Sequence, residues 1–405
     1  MVEAVIVAAK RSPIGRAMKG SLKEVRPDDL AAMIVGAAVE SVEGLDPSDI
    51  EDLMLGCGCP GGEQGYNMAG VVTTLLGWDS VPGTTVTRYC ASSLQTTRMA
   101  FHAIKAGEGD VFVSAGVEAV SRAFKGTSDF LPDTVNLKFD PAQQRTATFA
   151  EGRKVWSDPR QLGGLPDIYI AMGHTAENVA QLKGVSREDQ DAFALRSQQR
   201  TKEAAASGFW AREITPVVTP NGTTVSADDS PRPDTTAEGL AGLQPIFRPD
   251  GTVTAGNCCP LNDGAAALVI MSATEAKRRG VTPLARIIST GVSGLSPEIM
   301  GLGPVEASRR ALTRAGMSIG DVDLVEINEA FAAQVLASQR ELGIELDRLN
   351  VNGGALAVGH PFGMSGARIV TTMLNSLQWH DKQTGLVTMC VGGGQGMTVV
   401  LERLS

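Results

Sequence analysis

A chain of 405 residues with 43% hydrophobic content carries enough apolar mass for two or three packed domains. Its longest apolar runs, such as Ala265 to Met271, fall far short of the ~18 residues a membrane span requires. A net charge of −9 and a pI near 5.1 exclude the broad basic face that nucleic acid or an anionic membrane would demand, so an anionic small ligand must find a local basic patch.

In chain order, the N-terminal segment MVEAVIVAAKRSPIG reads as a short apolar strand behind an acid, without the basic start and long apolar stretch of a signal peptide. Six cysteines in no disulfide framework read as free thiols, and with no Ser-Lys-Leu address at Leu404-Ser405 a cytoplasmic location is expected. Cys57-Gly-Cys59 and, later, Cys258-Cys259 lack a second ligand pair at metal spacing, so no metal is expected. Cys90 opens a predicted helix in TRYCASSLQTTRMAFHAIKAG, and a strand follows at Val111–Gly116. From 121 to 249 the chain changes character, with charges and Pro/Gly clusters such as SADDSPRPDTTAEG and a single strongly helical stretch, Met172 to Gly208, containing a Ser-x-x-Asp start at Ser186. This reads as an inserted loop domain. The β pattern resumes with GTVTAGNCCPLNDGAAALVIM, which completes a first half spanning 1–271, and a second half spans 280–405. There His360 opens another predicted helix in NGGALAVGHPFGMSGARIVTTMLNSLQ. The segment Gly392-Gly-Gly-Gln-Gly396 misses the spacing of a dinucleotide fingerprint.

The halves repeat one another. Aligning Ser93-x-x-x-x-Arg98 with Ser365-x-x-Arg368 places Cys90 and His360 at one shared offset, so a thiol and an imidazole occupy matching sites. On either side, Asp49–Met54 matches Asp321–Val325, and Val111–Gly116 matches Leu386–Gly392. A pseudo-two-fold relation would bring the equivalent helix N-termini together at the seam. A helix N-terminus carries about half a positive charge, and a facing imidazole would add to it, so a lowered pKa is expected for Cys90, although a cysteine at a helix start is by itself most often structural.

Four ordered motifs carry a family resemblance: the segment around Cys90, Asn328-Glu-Ala-Phe331, Gly359-His-Pro-Phe-Gly-Met-Ser-Gly366 and Cys390-Val-Gly-Gly-Gly-Gln-Gly396. Together they resemble the thiolase superfamily along essentially the whole chain, in its acetyl-CoA C-acetyltransferase and 3-ketoacyl-CoA thiolase types. The resemblance implies an α/β fold of five layers, α/β/α/β/α, built from two similar halves. It implies thiolysis of 3-ketoacyl-CoA by CoA, or the reverse condensation, in fatty-acid β-oxidation or related lipid metabolism. Coenzyme A would be a substrate, with no tightly bound cofactor.

By resemblance Cys90 carries the acyl group, and a thioester intermediate keeps both half-reactions nearly balanced. His360 would activate it and donate to the thioester carbonyl. Asn328, which precedes a predicted helix at Glu329 and reads alone as its N-cap, would hold a water in the same oxyanion hole. Cys390 would be the second catalytic thiol, and the N–H groups of Cys90 and Gly392 would form a second oxyanion hole. Met172, Met300 and Phe331 match the acyl and pantetheine channel, and Arg232 matches a contact to the nucleotide of CoA. Cys259 and Pro260 replace a Ser-Gly pair beside the pantetheine. Thr87, Ser93, Gly239 and Ala171 are further departures, which bear on chain-length preference. The remaining histidines, 102, 174 and 380, match no catalytic position. The loop after Ser121 does not match the tetramer-forming loop of biosynthetic members, so a homodimer is expected before a dimer of dimers. Two alternatives stand beside this: a decarboxylating ketosynthase, which would need two histidines where this chain has Asn328 and Cys390, and a non-catalytic acyl-CoA or lipid-binding protein, which would normally have lost the thiol or the histidine.

Overall fold

The computed structural model describes residues 2–123, 134–151 and 155–405. Its first half runs from strand β1 (Ala4–Arg11) through helix α1 (Pro27–Glu40), β2 (Asp52–Cys57), β3 (Gly83–Val86), helix α2 (Ser92–Ala106) and β4 (Val111–Ala119) to β5 (Asn262–Ser272). Lateral order in this half is β3-β2-β4-β5-β1, with β2 parallel to both β3 and β4 and the remaining pairs antiparallel. Between β4 and β5 the chain makes helices α3 (Asp140–Ala150), α4 (Met172–Lys183) and α5 (Arg187–Ala206). The single helical stretch expected from Met172 to Gly208 is therefore two helices. The chain breaks at Gly184, and the Ser186 hydroxyl caps α5 by accepting from the Asp189 N–H at 3.0 Å. The loop after Ser121, on which the expected oligomeric state rests, falls largely in 124–133, outside the described residues.

The second half repeats the plan as β6 (Ala285–Gly294), α6 (Gly303–Ala315), β7 (Leu324–Ile327), α7 (Ala332–Leu342), α8 (Phe362–Trp379), β8 (Thr384–Val391) and β9 (Gln395–Arg403). Its order is β7-β8-β9-β6, and Leu349 bridges Val325 in parallel where β3 stands in the first half. The aligned segments of the repeat are thus β2 with β7 and β4 with β8. The two halves join edge to edge into one continuous sheet where Val5 and Ile6 of β1 meet Arg286 and Ala285 of β6.

Burial follows strand alternation. In β5, Leu268 and Ile270 face a central core shared with Val387, Met389, Val399 and Leu401 of the other half. Their neighbours Ala267, Val269 and Met271 face an outer core under α1. Leu386 and Val400 likewise turn outward to α6 and α7. Covered on both faces, the strands read as continuous apolar runs, and all of β4 and β5 is buried. Helices α2 and α8 fill the middle layer, in contact with strands of both halves. They cross so closely that a Cβ on Gly366 would stand 2.1 Å from the Leu94 nitrogen. Beside the crossing, the Ala367 N–H donates to Ser93 Oγ at 2.8 Å, so the serine that departs from the family pattern is bonded across the seam.

Candidate active site

Between β3 and α2 the chain turns through a short 3₁₀ segment, Tyr89–Ala91, placing Cys90 just ahead of the helix. Tyr89 has φ of 44°, a left-handed conformation that is costly for a residue with a Cβ. The turn is tied down by Ser92, whose Oγ accepts from the Arg88 N–H at 2.9 Å and donates to the Tyr89 carbonyl at 2.6 Å. Half-buried Cys90 lines a cavity of about 520 Å³ together with Cys59, Tyr169, Met172, Phe362 and Gly392. Segments far apart in the chain meet there, with Cys59 and Cys90, Tyr169 and Met172, and Phe362 and Gly392 on its walls. The Gly392 N–H is directed at the Cys90 sulfur.

Burial opposes the expected thiolate. Burial pushes the Cys90 thiol up to about 12, helped by the Glu118 carboxylate and only partly opposed by the Gly392 N–H. Burial also drives His360 down to about 3, with the Arg368 charge adding to the effect. Desolvation outweighs the half-charge of one helix end, leaving a neutral thiol and a neutral imidazole.

His360 precedes α8 in a turn that only glycine can enter at Gly359, where φ is 113° and a Cβ would stand 2.7 Å from the Asn262 side chain. The His360 N–H donates to Asn262 Oδ1 at 2.9 Å. On the ring, Nδ1 lies 2.6 Å from Ser365 Oγ, and Asn328 Nδ2 lies 3.3 Å from either ring nitrogen. Asn328 is not a helix cap, because α7 begins at Ala332. Its backbone N–H extends the β7–β8 ladder to the Thr388 carbonyl at 3.0 Å, and Arg368 Nη2 holds its Oδ1 at 2.9 Å.

Cys390 lies near the end of β8, buried in an apolar cluster with Met300 and Phe331, and Met172, Cys258 and Cys259 pack against its edge. Burial and the neighbouring Cys90 sulfur both raise its pKa. Of the residues expected to line the acyl channel, Met172 reaches the cavity, while Met300 and Phe331 stand behind it in the cluster. Arg232 is exposed and does not line the cavity, although its charge pulls the Cys258 thiol down against burial. No group of three His, Cys, Asp or Glu side chains able to hold a metal ion occurs among the described residues.

Family models match the chain in two consecutive blocks, the thiolase N-terminal domain over residues 4–274 and the thiolase C-terminal domain over 281–403. The chain belongs to the thiolase family. It is 46% identical over 411 residues to the 3-oxoadipyl-CoA/3-oxo-5,6-dehydrosuberyl-CoA thiolase of Escherichia coli K12, covering 100% of both chains. It is 42% identical over 415 residues to the 3-ketoacyl-CoA thiolase of Bacillus subtilis 168, covering 99% of this chain and 100% of that one. The crystal structure of Bacillus anthracis acetyl-CoA acetyltransferase superposes with a TM-score of 0.86 at 38% identity, covering 100% of this chain and 99% of the other. This thiolase is therefore an acyltransferase that cleaves or condenses acyl-CoA thioesters, and the non-catalytic alternative is not favoured. No helix among its described residues is long and apolar enough to cross a membrane.

Three residues of this thiolase that sequence reasoning left without a role stand at the site. Fully buried Glu118 accepts from the N–H groups of Gly58 at 2.7 Å, Gly363 at 2.8 Å and Cys59 at 3.2 Å, and from Gln64 Nε2 at 2.7 Å. It joins a wall of the cavity to the first turn of α8. Its sequence signal is a lone acid in a wholly buried strand, β4, whose other residues are uncharged. The other two, Ser365 and Arg368, served only as markers of the repeat.

Proposed function

We propose that Cys90 is the acyl-carrying nucleophile of a two-step thiolase reaction, with His360, Asn328, Cys390 and Gly392 as its partners. In the cleavage direction the Cys90 sulfur attacks the 3-keto carbon of a 3-ketoacyl-CoA while its proton passes to His360. The bond between C2 and C3 breaks, and the departing acetyl-CoA carbanion takes the proton of Cys390. Incoming CoA gives its thiol proton to the Cys390 thiolate and attacks the acyl group. The Cys90 sulfur leaves and recovers its proton from His360. The N–H groups of Cys90 and Gly392 would receive the carbonyl oxygen at Cys90, and His360 with a water on Asn328 would receive the thioester oxygen.

What carries this proposal is the Gly392 N–H aimed at the Cys90 sulfur inside a cavity walled by both halves and the insert. The two thiols suit an exchange between thioesters, and the neutral Cys90 thiol and His360 imidazole suit proton transfer during attack rather than before it. Mass spectrometry of the protein mixed with acetoacetyl-CoA is expected to find the acyl group on the peptide containing Cys90, with none on Cys90→Ala. Acylation of another peptide in the wild type rules the assignment out.

The substrate proposed is a 3-ketoacyl-CoA with coenzyme A as the second substrate and no tightly bound cofactor. The Escherichia coli relative is a thiolase of 3-oxoadipyl-CoA and the Bacillus subtilis one of 3-ketoacyl-CoA, so a thiolysis series should span simple chains of increasing length and a dicarboxylic one. Arg232 is proposed for the nucleotide end, and Cys259 with Met172, Met300 and Phe331 for the channel. Division into halves 1–271 and 280–405 with an insert at 121–249, assembly as a homodimer, and a reducing cytoplasmic setting for six free thiols complete the proposal.

A further inference from the structure

We propose that Ser365 and Arg368, on the first turns of α8, lock His360 and Asn328 into a single proton arrangement that leaves His360 Nε2 as the basic nitrogen. This rests on the proposal that His360 and Asn328 serve the reaction, and it assigns positioning roles to two residues outside that reaction scheme.

Hydrogen counting carries the argument. Ser365 Oγ lies 2.6 Å from the Pro361 carbonyl, which can only accept, so the one hydroxyl hydrogen is committed there. The 2.6 Å contact between Ser365 Oγ and His360 Nδ1 is then a hydrogen bond in which the imidazole donates. A neutral imidazole has one N–H, so Nε2 keeps a bare lone pair. On the other side, Arg368 has only hydrogens to offer, and its Nη2 reaches Asn328 Oδ1 at 2.9 Å. That turns the Asn328 amide nitrogen, a donor, toward the ring, 3.3 Å from either ring nitrogen, so the amide offers no acceptor to a hydrogen on Nε2. Arg368 is itself fixed by Glu326 Oε1 at 3.1 Å, and both side chains are buried. A chain of oriented groups thus runs from Glu326 through Arg368, Asn328 and His360 to Ser365. Without it the ring could present the wrong nitrogen to Cys90, and the Asn328 amide could flip.

The consequence is chemical. With Nδ1–H spent on Ser365, Nε2 takes the Cys90 proton during attack and then becomes the donor to the substrate oxygen, so one nitrogen performs both steps.

The test is nitrogen NMR of protein labelled with ¹⁵N at its 4 histidines, with His360 assigned by loss of its signals in His360→Asn. Wild type is expected to show a protonated Nδ1 and a bare Nε2. Ser365→Ala is expected to lose that tautomer and to lower kcat by about 100-fold, the scale of positioned proton transfer, while KM moves less than about threefold. Ser365→Thr, which keeps the hydroxyl, should restore both. Arg368→Lys keeps the charge beside Glu326 but loses the second nitrogen that holds Asn328 Oδ1, and should lower kcat with the tautomer unchanged. A wild-type His360 protonated on Nε2 overturns the proposal, as does a Ser365→Ala protein with an unaltered tautomer or an Arg368→Lys protein with an unaltered kcat. The wild-type spectrum decides alone if the variants do not fold. Acyl trapping on Cys90 in the same wild-type sample fails only if the underlying catalytic reading fails.

Discussion

At Cys90 two physical effects compete, and burial wins. A helix end and the Gly392 N–H favour the thiolate, yet withdrawing the sulfur from water raises the thiol to about 12. The sign follows directly: across pH 6 to 10 the group stays protonated, and its thiolate fraction grows with every unit. Alkylation of Cys90 by iodoacetamide, followed on its own peptide, is therefore expected to accelerate about tenfold per pH unit without a plateau, since the thiolate is the reacting form. A plateau near neutrality would mean that an imidazolium–thiolate pair exists at rest. The proposal of Cys90 as nucleophile came from the sequence, where a cysteine at a helix start has an imidazole as its repeat counterpart. Its protonation state was not, because desolvation depends on what the insert and the second half place around the sulfur.

At the scale of elements, the crossing of α2 and α8 sets how closely the turns that carry Cys90 and His360 approach. Gly366→Ala puts a methyl group 2.1 Å from the Leu94 nitrogen, against backbone that cannot rotate away. The variant is expected to lose about 1–3 kcal/mol or more, read as a lower urea midpoint at unchanged slope. A midpoint within error of wild type would show that the helices can separate at little cost. The repeated strands were readable from aligned apolar segments. The start of α7 was not, since Asn328-Glu329 has the form of a cap and a first turn. In the fold Glu329 is buried and bonded to Ser197 Oγ at 2.6 Å, Asn350 Nδ2 at 2.8 Å and the Leu356 N–H at 3.1 Å. These partners lie far away in the chain, so local propensity could not announce them.

For the whole molecule, the central core belongs to neither half. Ile6, Leu94 and Leu268 share it with Val370, Val387 and Leu401, so cutting between the halves exposes the largest apolar faces of both. Residues 1–274 and 281–405 expressed apart are each expected to lack a cooperative thermal transition that the full chain shows in circular dichroism. A sharp transition in either fragment would contradict a shared core. The sequence by itself determined the duplication, the strand and helix plan, the family and the residue types of the site, because periodicity and ordered motifs are properties of neighbouring positions. Tertiary structure alone decided the neutral state of the thiol and imidazole, the role of buried Glu118 and the hydrogen-bond chain around His360. Each of these depends on which distant groups exclude water from a side chain and which complete its hydrogen bonds, and that is settled only when the halves close on each other.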